Sequence, residues 1–248
     1  MIKSKLIAAL APAAIACACA QPPQSATFAP PAPAPVAAAN QVATLVSRAQ
    51  NGDNQAAVIL AALNLKVGNT IEAAKWLRLA ADRGFPAGEG GLGHLYTFGL
   101  GVPQDYSLAL KYSRMAADQN DAIGLNNMGY LYERGLGVPV QPTEAARMYR
   151  RAAMLGNASA QDNLGRCYET GIGVPVDRQL AYFWDNVAAA KLVGPELVAT
   201  ARRRDALLAS LPPDAVARLQ SAATNWKPGT EPPAGHPISP AVAGAHSA

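Results

Sequence analysis

The feature that most constrains this chain is a sequence unit that returns every 36 residues. The segment LGHLYTFGLGVP at residues 92–103 returns as MGYLYERGLGVP at 128–139 and as LGRCYETGIGVP at 164–175. Alanine pairs downstream keep the same step, at residues 80–81, 116–117, 152–153 and 188–189. A fixed period of this length is typical of a stack of similar units, each of which buries its apolar surface against its neighbours.

The residue types within each unit predict two helices joined by a glycine-rich turn. In the first half, one glycine and large apolar residues share a helix face, which lets a neighbouring helix approach closely. The positions where this helix must end in a left-handed conformation are all glycine: Gly99, Gly135 and Gly171. Asp105 and Asp177 then stand where the second helix needs an N-cap, whereas the third unit has Gln141 followed by Pro142.

The first copy of the unit is shorter than the others. Gly52 and Gly84 are 32 residues apart, so four residues are missing where the other copies have the Gly-x-Gly-Val turn. Upstream, the apolar spacing of Asn40–Gln50 predicts a single capping helix. At the third junction Asn120 replaces the terminal glycine, which is acceptable because Asn adopts the left-handed conformation more readily than most residues.

This pattern closely resembles the Sel-like repeat, a branch of the tetratricopeptide-type solenoids, over about residues 52–192. The resemblance implies an all-α fold, an α/α superhelical solenoid of about four helix hairpins with helical caps. We therefore expect the solenoid at residues 40–192, a C-terminal helical cap at 193–228 and a disordered tail at 229–248. The family also implies a protein-interaction scaffold that binds a protein or peptide and acts as an adaptor in the bacterial envelope.

The first twenty residues have the layout of a secretory signal. Two lysines precede an apolar stretch that is too short to span a membrane, and small residues follow. The sequence around Cys17 resembles a lipoprotein acylation site, with Cys19 as the alternative, and ordinary cleavage before Gln21 also fits. Residues 21–39 are rich in Pro and Ala and predict a disordered linker. We expect secretion across the inner membrane into the periplasm, with a lipid anchor in the outer membrane.

The residue types needed for catalysis are scarce. The only histidines are His94, His236 and His246, and no zinc spacing or nucleophile motif occurs. The segment GEGGLG at residues 88–93 matches a dinucleotide fingerprint, but no strand precedes it and the repeat places it in a first helix. The sequence therefore predicts no catalytic residue, no metal site and no cofactor.

Cys167 stands at a position that is leucine in the neighbouring units, which predicts a buried thiol. Relatives with a cysteine pair in every repeat have been assigned a β-lactam or peptidoglycan-related activity, so a cell-wall or β-lactam hydrolase is the alternative function. A passive structural component of the envelope is a further alternative.

Binding is the better hypothesis, because the first helices of such hairpins line the concave face of a solenoid. Removing the packing positions leaves in each unit a set of polar and aromatic residues at equivalent places. The candidate binding residues are Tyr130, Arg166, His94, Asn126, Asn127, Glu133, Arg134, Asp162, Asn163 and Glu169, and Gly90, Gly91, Thr97, Phe98 and Thr170 complete the three sets. This mixture suits a peptide or protein segment, and Tyr130 and Arg166 are the residue types most favoured at interface hot spots.

Charge argues against nucleic acid as a partner. The formal net charge is +4, and removal of the two lysines of the signal segment would lower it further. Such a balance is too small for a nucleic-acid footprint, and Arg147, Arg150 and Arg151 have acidic neighbours in sequence. We expect a monomer that contacts the membrane only through its N-terminal lipid.

Overall fold

The computed structural model describes residues 34–233, and within that range every regular element is a helix. Eleven helices follow one another: α1 (Ala34–Gln50), α2 (Asn54–Lys66), α3 (Thr70–Ala81), α4 (Pro86–Phe98), α5 (Tyr106–Asp118), α6 (Ala122–Arg134), α7 (Pro142–Met154), α8 (Ala158–Thr170), α9 (Arg178–Ala189), α10 (Gly194–Leu208) and α11 (Pro213–Asn225).

The predicted solenoid of four helix hairpins is confirmed. The units pair α2 with α3, α4 with α5, α6 with α7 and α8 with α9, and each second helix also packs against the first helix of the next unit. Helix α1 packs on the first unit, and α10 and α11 pack on α9 at the other end. We call the side formed by the first helices the inner face and the side formed by the second helices the outer face.

The turn residues adopt the conformations that the repeat predicts. Gly99, Gly135 and Gly171 end the first helices with φ of 68°, 67° and 77°, and Asn120 has φ 59°. The carboxylates of Asp105 and Asp177 each accept two backbone N–H bonds at the start of the second helix. Local residue type thus accounts for these helix ends and for the start of the second helices at Asp105 and Asp177.

The long turns also join the units to one another. A Cβ added to the second glycine of each turn would strike the first residues of the second helix one unit earlier. The contacts join Gly101 to Thr70 and Gly173 to Pro142, whereas at Gly137 the nearest atoms belong to the Leu110 side chain and to Tyr106, at 2.9 and 3.1 Å. Within the described residues, the first unit follows the single helix α1, and its short turn has no second helix of an earlier unit to contact.

A glycine in the middle of each long-turn unit's first helix lets the second helix approach. An added Cβ would lie 2.5 Å from Ser113 Oγ at Gly93 and 2.6 Å from the Tyr149 ring at Gly129, and it would overlap the Asp185 carboxylate at Gly165. The three partner residues are themselves 36 residues apart, so one helix crossing recurs along the array.

Described structure extends past two of the predicted boundaries. Helix α1 begins at Ala34, inside the predicted linker 21–39, because alanines 37–39 favour helix and Pro35 stands in the first turn, where proline is tolerated. The tail predicted to begin at residue 229 is ordered at its start. Gly229 donates a backbone hydrogen bond to Met154, and Glu231 forms an ion pair with Arg150. The signal segment, Cys17 and Cys19, and residues 234–248 lie outside the described residues.

Among residues 34–233 no helix is long and apolar enough to cross a membrane. Cys167 is free and fully buried in the core of the last two units, as predicted.

Candidate functional site

The inner face contains a cavity of about 220 Å³ that extends across three units and the C-terminal cap. Side chains from α4, α6, α8 and α10 line it, together with one residue of the loop between α9 and α10. The lining residues are His94, Phe98, Asn126, Asn127, Tyr130, Ser159, Asp162, Asn163, Leu192 and Glu196. We call this set the inner groove.

Aromatic rings form one wall of the inner groove. The His94 and Phe98 ring centroids are 4.7 Å apart, and the Phe98 and Tyr130 centroids are 5.4 Å apart. The Arg134 guanidinium lies 5.9 Å from the centre of the Tyr130 ring. Phe98 is 45% exposed, which is high for a large apolar side chain. This wall therefore offers apolar and π surface to a ligand.

Asparagine amides form the floor of the groove. The Asn163 side-chain amide donates to Asn126 Oδ1 over 3.1 Å, which links α8 to α6. Asn127 is buried and donates to the Gly90 carbonyl over 2.8 Å, so its amide is used in joining two units. Of the three amides, those of Asn126 and Asn163 remain partly exposed to a ligand.

The groove carries no cation among its lining residues. Burial lowers the pKa of His94 below its ordinary value and the hydrogen bond with Asn127 opposes that shift, so the imidazole is neutral at pH 7. Glu196 is exposed and forms no ion pair with a described residue. The groove is accordingly aromatic and amide-lined, with acidic residues at the end next to the cap.

Four segments of the chain, at residues 63–85, 87–121, 122–157 and 158–190, match the Sel1 repeat family. Together they cover just over half of the chain. The chain belongs to the Sel1 repeat family. Sel1 repeat proteins generally mediate protein–protein interactions, and their fold is typically a non-catalytic scaffold.

Two solved structures resemble this Sel1 repeat protein. A Sel1 repeat protein from Oxalobacter formigenes is 31% identical over 65% of this chain and 48% of its own, with a TM-score of 0.50. A protective antigen of uropathogenic Escherichia coli with an SLR fold is 21% identical over 73% of this chain and 48% of its own, with a TM-score of 0.47. The chain thus spans about half the length of each. No curated protein matches it significantly.

Four of the ten predicted binding residues lie outside the groove lining, and Arg166 is the most informative of them. Its guanidinium donates to both carboxylate oxygens of Glu133, over 2.8 and 2.7 Å, and the Tyr149 hydroxyl donates to the same carboxylate over 2.9 Å. Burial raises the pKa of Glu133, but the hydrogen bond and charge of Arg166 outweigh it and leave the net pKa below the ordinary value. Arg166 thus joins the fourth repeat to the third.

A second arginine performs the same task at the C-terminal end. Arg203 of α10 donates to both oxygens of Asp185 and, over 2.6 Å, to Asp162 Oδ1, and it lies 3.9 Å from Glu169. Thr200 also donates to Asp162. Burial raises the pKa of Asp185, and the hydrogen bonds and charge of Arg203 oppose that shift. Two predicted binding residues, Asp162 and Glu169, therefore contact the cap.

Six of the ten predicted binding residues line the inner groove: His94, Asn126, Asn127, Tyr130, Asp162 and Asn163. Arg134 is exposed beside the groove, over the Tyr130 ring. The prediction missed Ser159, Leu192 and Glu196. The 36-residue period could have predicted Glu196, because α10 begins 36 residues after α8 and so continues the series of inner helices.

The described part of the chain offers little for catalysis. No group of three or more His, Cys, Asp or Glu residues lies close enough to hold a metal ion within residues 34–233. Burial raises the pKa of the Cys167 thiol to about 12, so at neutral pH it is a protonated core residue.

Proposed function

We propose that the inner groove binds an extended segment of a partner protein and that the protein serves as an interaction scaffold. The observation that carries the proposal is the exposed aromatic wall of Phe98 and Tyr130 facing the Asn126 and Asn163 amides. Aromatic rings supply binding energy to a ligand side chain, while amides can both donate to and accept from a peptide backbone.

The size of the groove favours a peptide over a small molecule. Its volume of about 220 Å³ is below the roughly 300–1,000 Å³ typical of small-molecule sites. It lies across adjacent inner helices, which suits a chain that runs along the array and packs one large side chain against the Phe98 and Tyr130 rings.

Site-specific photocrosslinking in the native host tests this proposal. A photoreactive residue at Ser159, an exposed position on the groove, should capture a discrete protein, whereas one at Ser107 on the outer face should not capture that protein. Phe98→Ala combined with Tyr130→Ala should reduce the captured product at least tenfold, because each aromatic contact contributes more than about 1 kcal/mol at an interface hot spot.

Val140→Ala is the matched control, since Val140 is 60% exposed but lies in a turn outside the groove. Equal capture at both probe positions, or a product insensitive to the double substitution, would refute the groove as the binding site. Turnover of nitrocefin or peptidoglycan by the purified protein would instead favour the hydrolase alternative.

We further propose that the protein is secreted and anchored in the envelope through an acylated Cys17 or Cys19. Three sequence features support this location: the two lysines, the short apolar stretch and the Pro/Ala-rich segment that follows. Labelled palmitate should enter the protein in a competent bacterium and be lost on Cys17→Ala or, for the alternative site, on Cys19→Ala. Cleavage before Gln21 without incorporation of the label would show plain secretion.

A further inference from the structure

The outer face carries basic residues at two positions that repeat with the array. On α3, α5 and α7 the first position is Lys75, Lys111 or Arg147, and the second, three residues later, is Arg78, Arg114 or Arg150. Each set keeps the 36-residue step, and Arg151 adds a further cation on α7. We call these seven residues the basic ladder.

Most of the basic ladder is open to solvent, although Arg78 donates to the Tyr96 hydroxyl, Arg150 to Glu231 and Arg151 to Asn120. Lys75, Arg78, Lys111, Arg114, Arg147 and Arg151 are exposed, and Arg150 is half-buried. Acidic residues would solvate this face as well as basic ones, yet the three helices contain seven basic residues and only three acidic ones. The bias is toward one sign of charge and hence toward an anionic partner.

The ladder ends where the outer face becomes covered. In the fourth unit the equivalent residues are Phe183 and Asn186, and Phe183 is fully buried beneath the C-terminal cap. Helix α11 packs on α9 at that point. The cations therefore occupy the three units in which this face is open to solvent.

Acidic neighbours neutralise the ladder only in part. Glu72 pairs with Lys75 over 2.9 Å, Glu144 with Arg147 over 2.6 Å and Glu231 with Arg150 over 2.7 Å, and water and salt weaken these exposed pairs. Lys111 and Arg114 in the middle unit form no ion pair with a described residue. Positive charge thus remains at the centre of the face.

Exposed apolar residues accompany the cations on the same helix faces. Ile71 precedes Lys75 by four residues, Met115 follows Lys111 by four, and Leu155 follows Arg151 by four. Residues four apart lie on one side of a helix. Beside Leu155, a cavity of about 500 Å³ has a floor that includes Met154 and Pro228 and a rim that includes three arginines of the ladder.

We infer that the basic ladder docks the outer face on an anionic phospholipid surface. Cations that contact headgroup phosphates, beside apolar side chains that reach the acyl boundary, are the combination that binds lipid bilayers. A dissolved polyanion would use the cations but would gain nothing from Ile71, Met115 or Leu155. This surface lies on the second helices α3, α5 and α7, whereas α4, α6, α8 and α10 line the inner groove, so it does not depend on the groove.

Vesicle binding tests the inference. The full chain with Cys17→Ser and Cys19→Ser, made in a cell-free system that adds no lipid, is sedimented with vesicles of phosphatidylcholine alone or with about one third phosphatidylglycerol. The measured quantity is the ratio of binding to the two vesicle types, and the contribution of the N-terminal segment with its two lysines cancels when the ratio is compared between chains that share this segment. We expect a strong preference for the anionic vesicles that salt removes.

Lys111→Gln combined with Arg114→Gln should reduce that ratio about 25-fold, since each cation at an anionic bilayer contributes about fivefold. The matched control is Arg202→Gln with Arg204→Gln, which removes the same charge from α10, outside the ladder, and should change the ratio less than about threefold. Arg147→Gln with Arg151→Gln provides a second ladder variant if the first one unfolds, as judged by circular dichroism.

Equal losses in the ladder and control variants would overturn the inference, because net charge alone would then explain the binding. An equal affinity of the wild-type chain for both vesicle types would also overturn it. So would ladder-dependent binding to soluble polyglutamate that is as tight as the binding to vesicles, since the partner would then be a polyanion.

Discussion

Replacing Arg166 with methionine should destabilise the protein in a way that depends on pH. Both guanidinium contacts to Glu133 disappear, and the carboxylate, whose side chain is only 9% exposed, keeps the Tyr149 hydroxyl as its one hydrogen-bond partner, with the exposed Arg134 4.0 Å away. Removing one partner of a fully buried ion pair costs roughly 3–5 kcal/mol. Because Arg166 is 27% exposed and water can enter the vacated space, we expect a loss of about 2 kcal/mol at pH 7.

The sign of the pH dependence should reverse in this variant. In the wild type the net pKa of Glu133 is lowered, so the stability that the pair contributes is present above the unfolded pKa and is lost as the pH falls through the folded pKa. Without Arg166, burial is the strongest remaining influence on Glu133, opposed by the Tyr149 hydrogen bond and the exposed Arg134, so we expect its pKa to lie above the ordinary value. The folded variant then favours the neutral carboxyl, and its stability falls as the pH rises from about 4.5 to 7, by at most about 1.4 kcal/mol per pH unit.

Urea unfolding followed by circular dichroism at the two pH values measures this effect. Arg134→Met is the matched control, because Arg134 is 60% exposed and lies 4.0 Å from the same carboxylate, so its loss should cost less than about 0.5 kcal/mol. Glu133→Gln and the double variant complete a cycle that isolates the pairwise energy. An Arg166→Met variant that loses the same free energy at both pH values would refute the assignment of Arg166 to the junction between units.

Two further changes test the packing. Gly165→Ala places a methyl group against the Asp185 carboxylate and should lower the free energy of unfolding by about 3 kcal/mol. Gly91→Ala meets only the end of the Leu77 side chain and should lower it by less than about 1 kcal/mol. Thermal melts compare the two variants, and equal losses of stability would contradict the close helix crossing at Gly165. Cys167 should react with a thiol reagent about a thousandfold more slowly in the native protein than in urea, because burial raises its pKa to about 12; rapid native labelling would contradict its burial.

The repeat let the sequence predict most of the fold. Helix ends depend on local residue types, so Gly99 or Asp105 indicates a boundary wherever the unit recurs. The inner groove was predicted in part for the same reason, since Tyr130 and His94 occupy equivalent positions on neighbouring helices. The sequence did not predict which charged side chains pair between neighbouring units. Glu133 and Arg166 are 33 residues apart, and each one separately fits a solvated surface charge.

The C-terminal cap was the hardest part to interpret from residue types. Arg203 belongs to a cluster of arginines in α10 that is typical of a solvent-exposed helix. Only the three-dimensional arrangement shows that it contacts Asp162 and Asp185, because those contacts join residues 41 and 18 positions apart. The same arrangement brings Glu196 to the groove.

The contact of each long turn with the preceding second helix makes the length of the array a modular property. A copy of residues 120–155 inserted after Leu155 would bring its own long turn, which would contact the second helix of the unit before it. Its second helix would offer the same contact to the long turn of the unit after it. Duplication could therefore extend the binding surface by one helix without redesigning either junction. A copy of residues 52–83 at the same place would lack the long turn and hence the contact with the preceding second helix, so the shorter unit is confined to the start of the array.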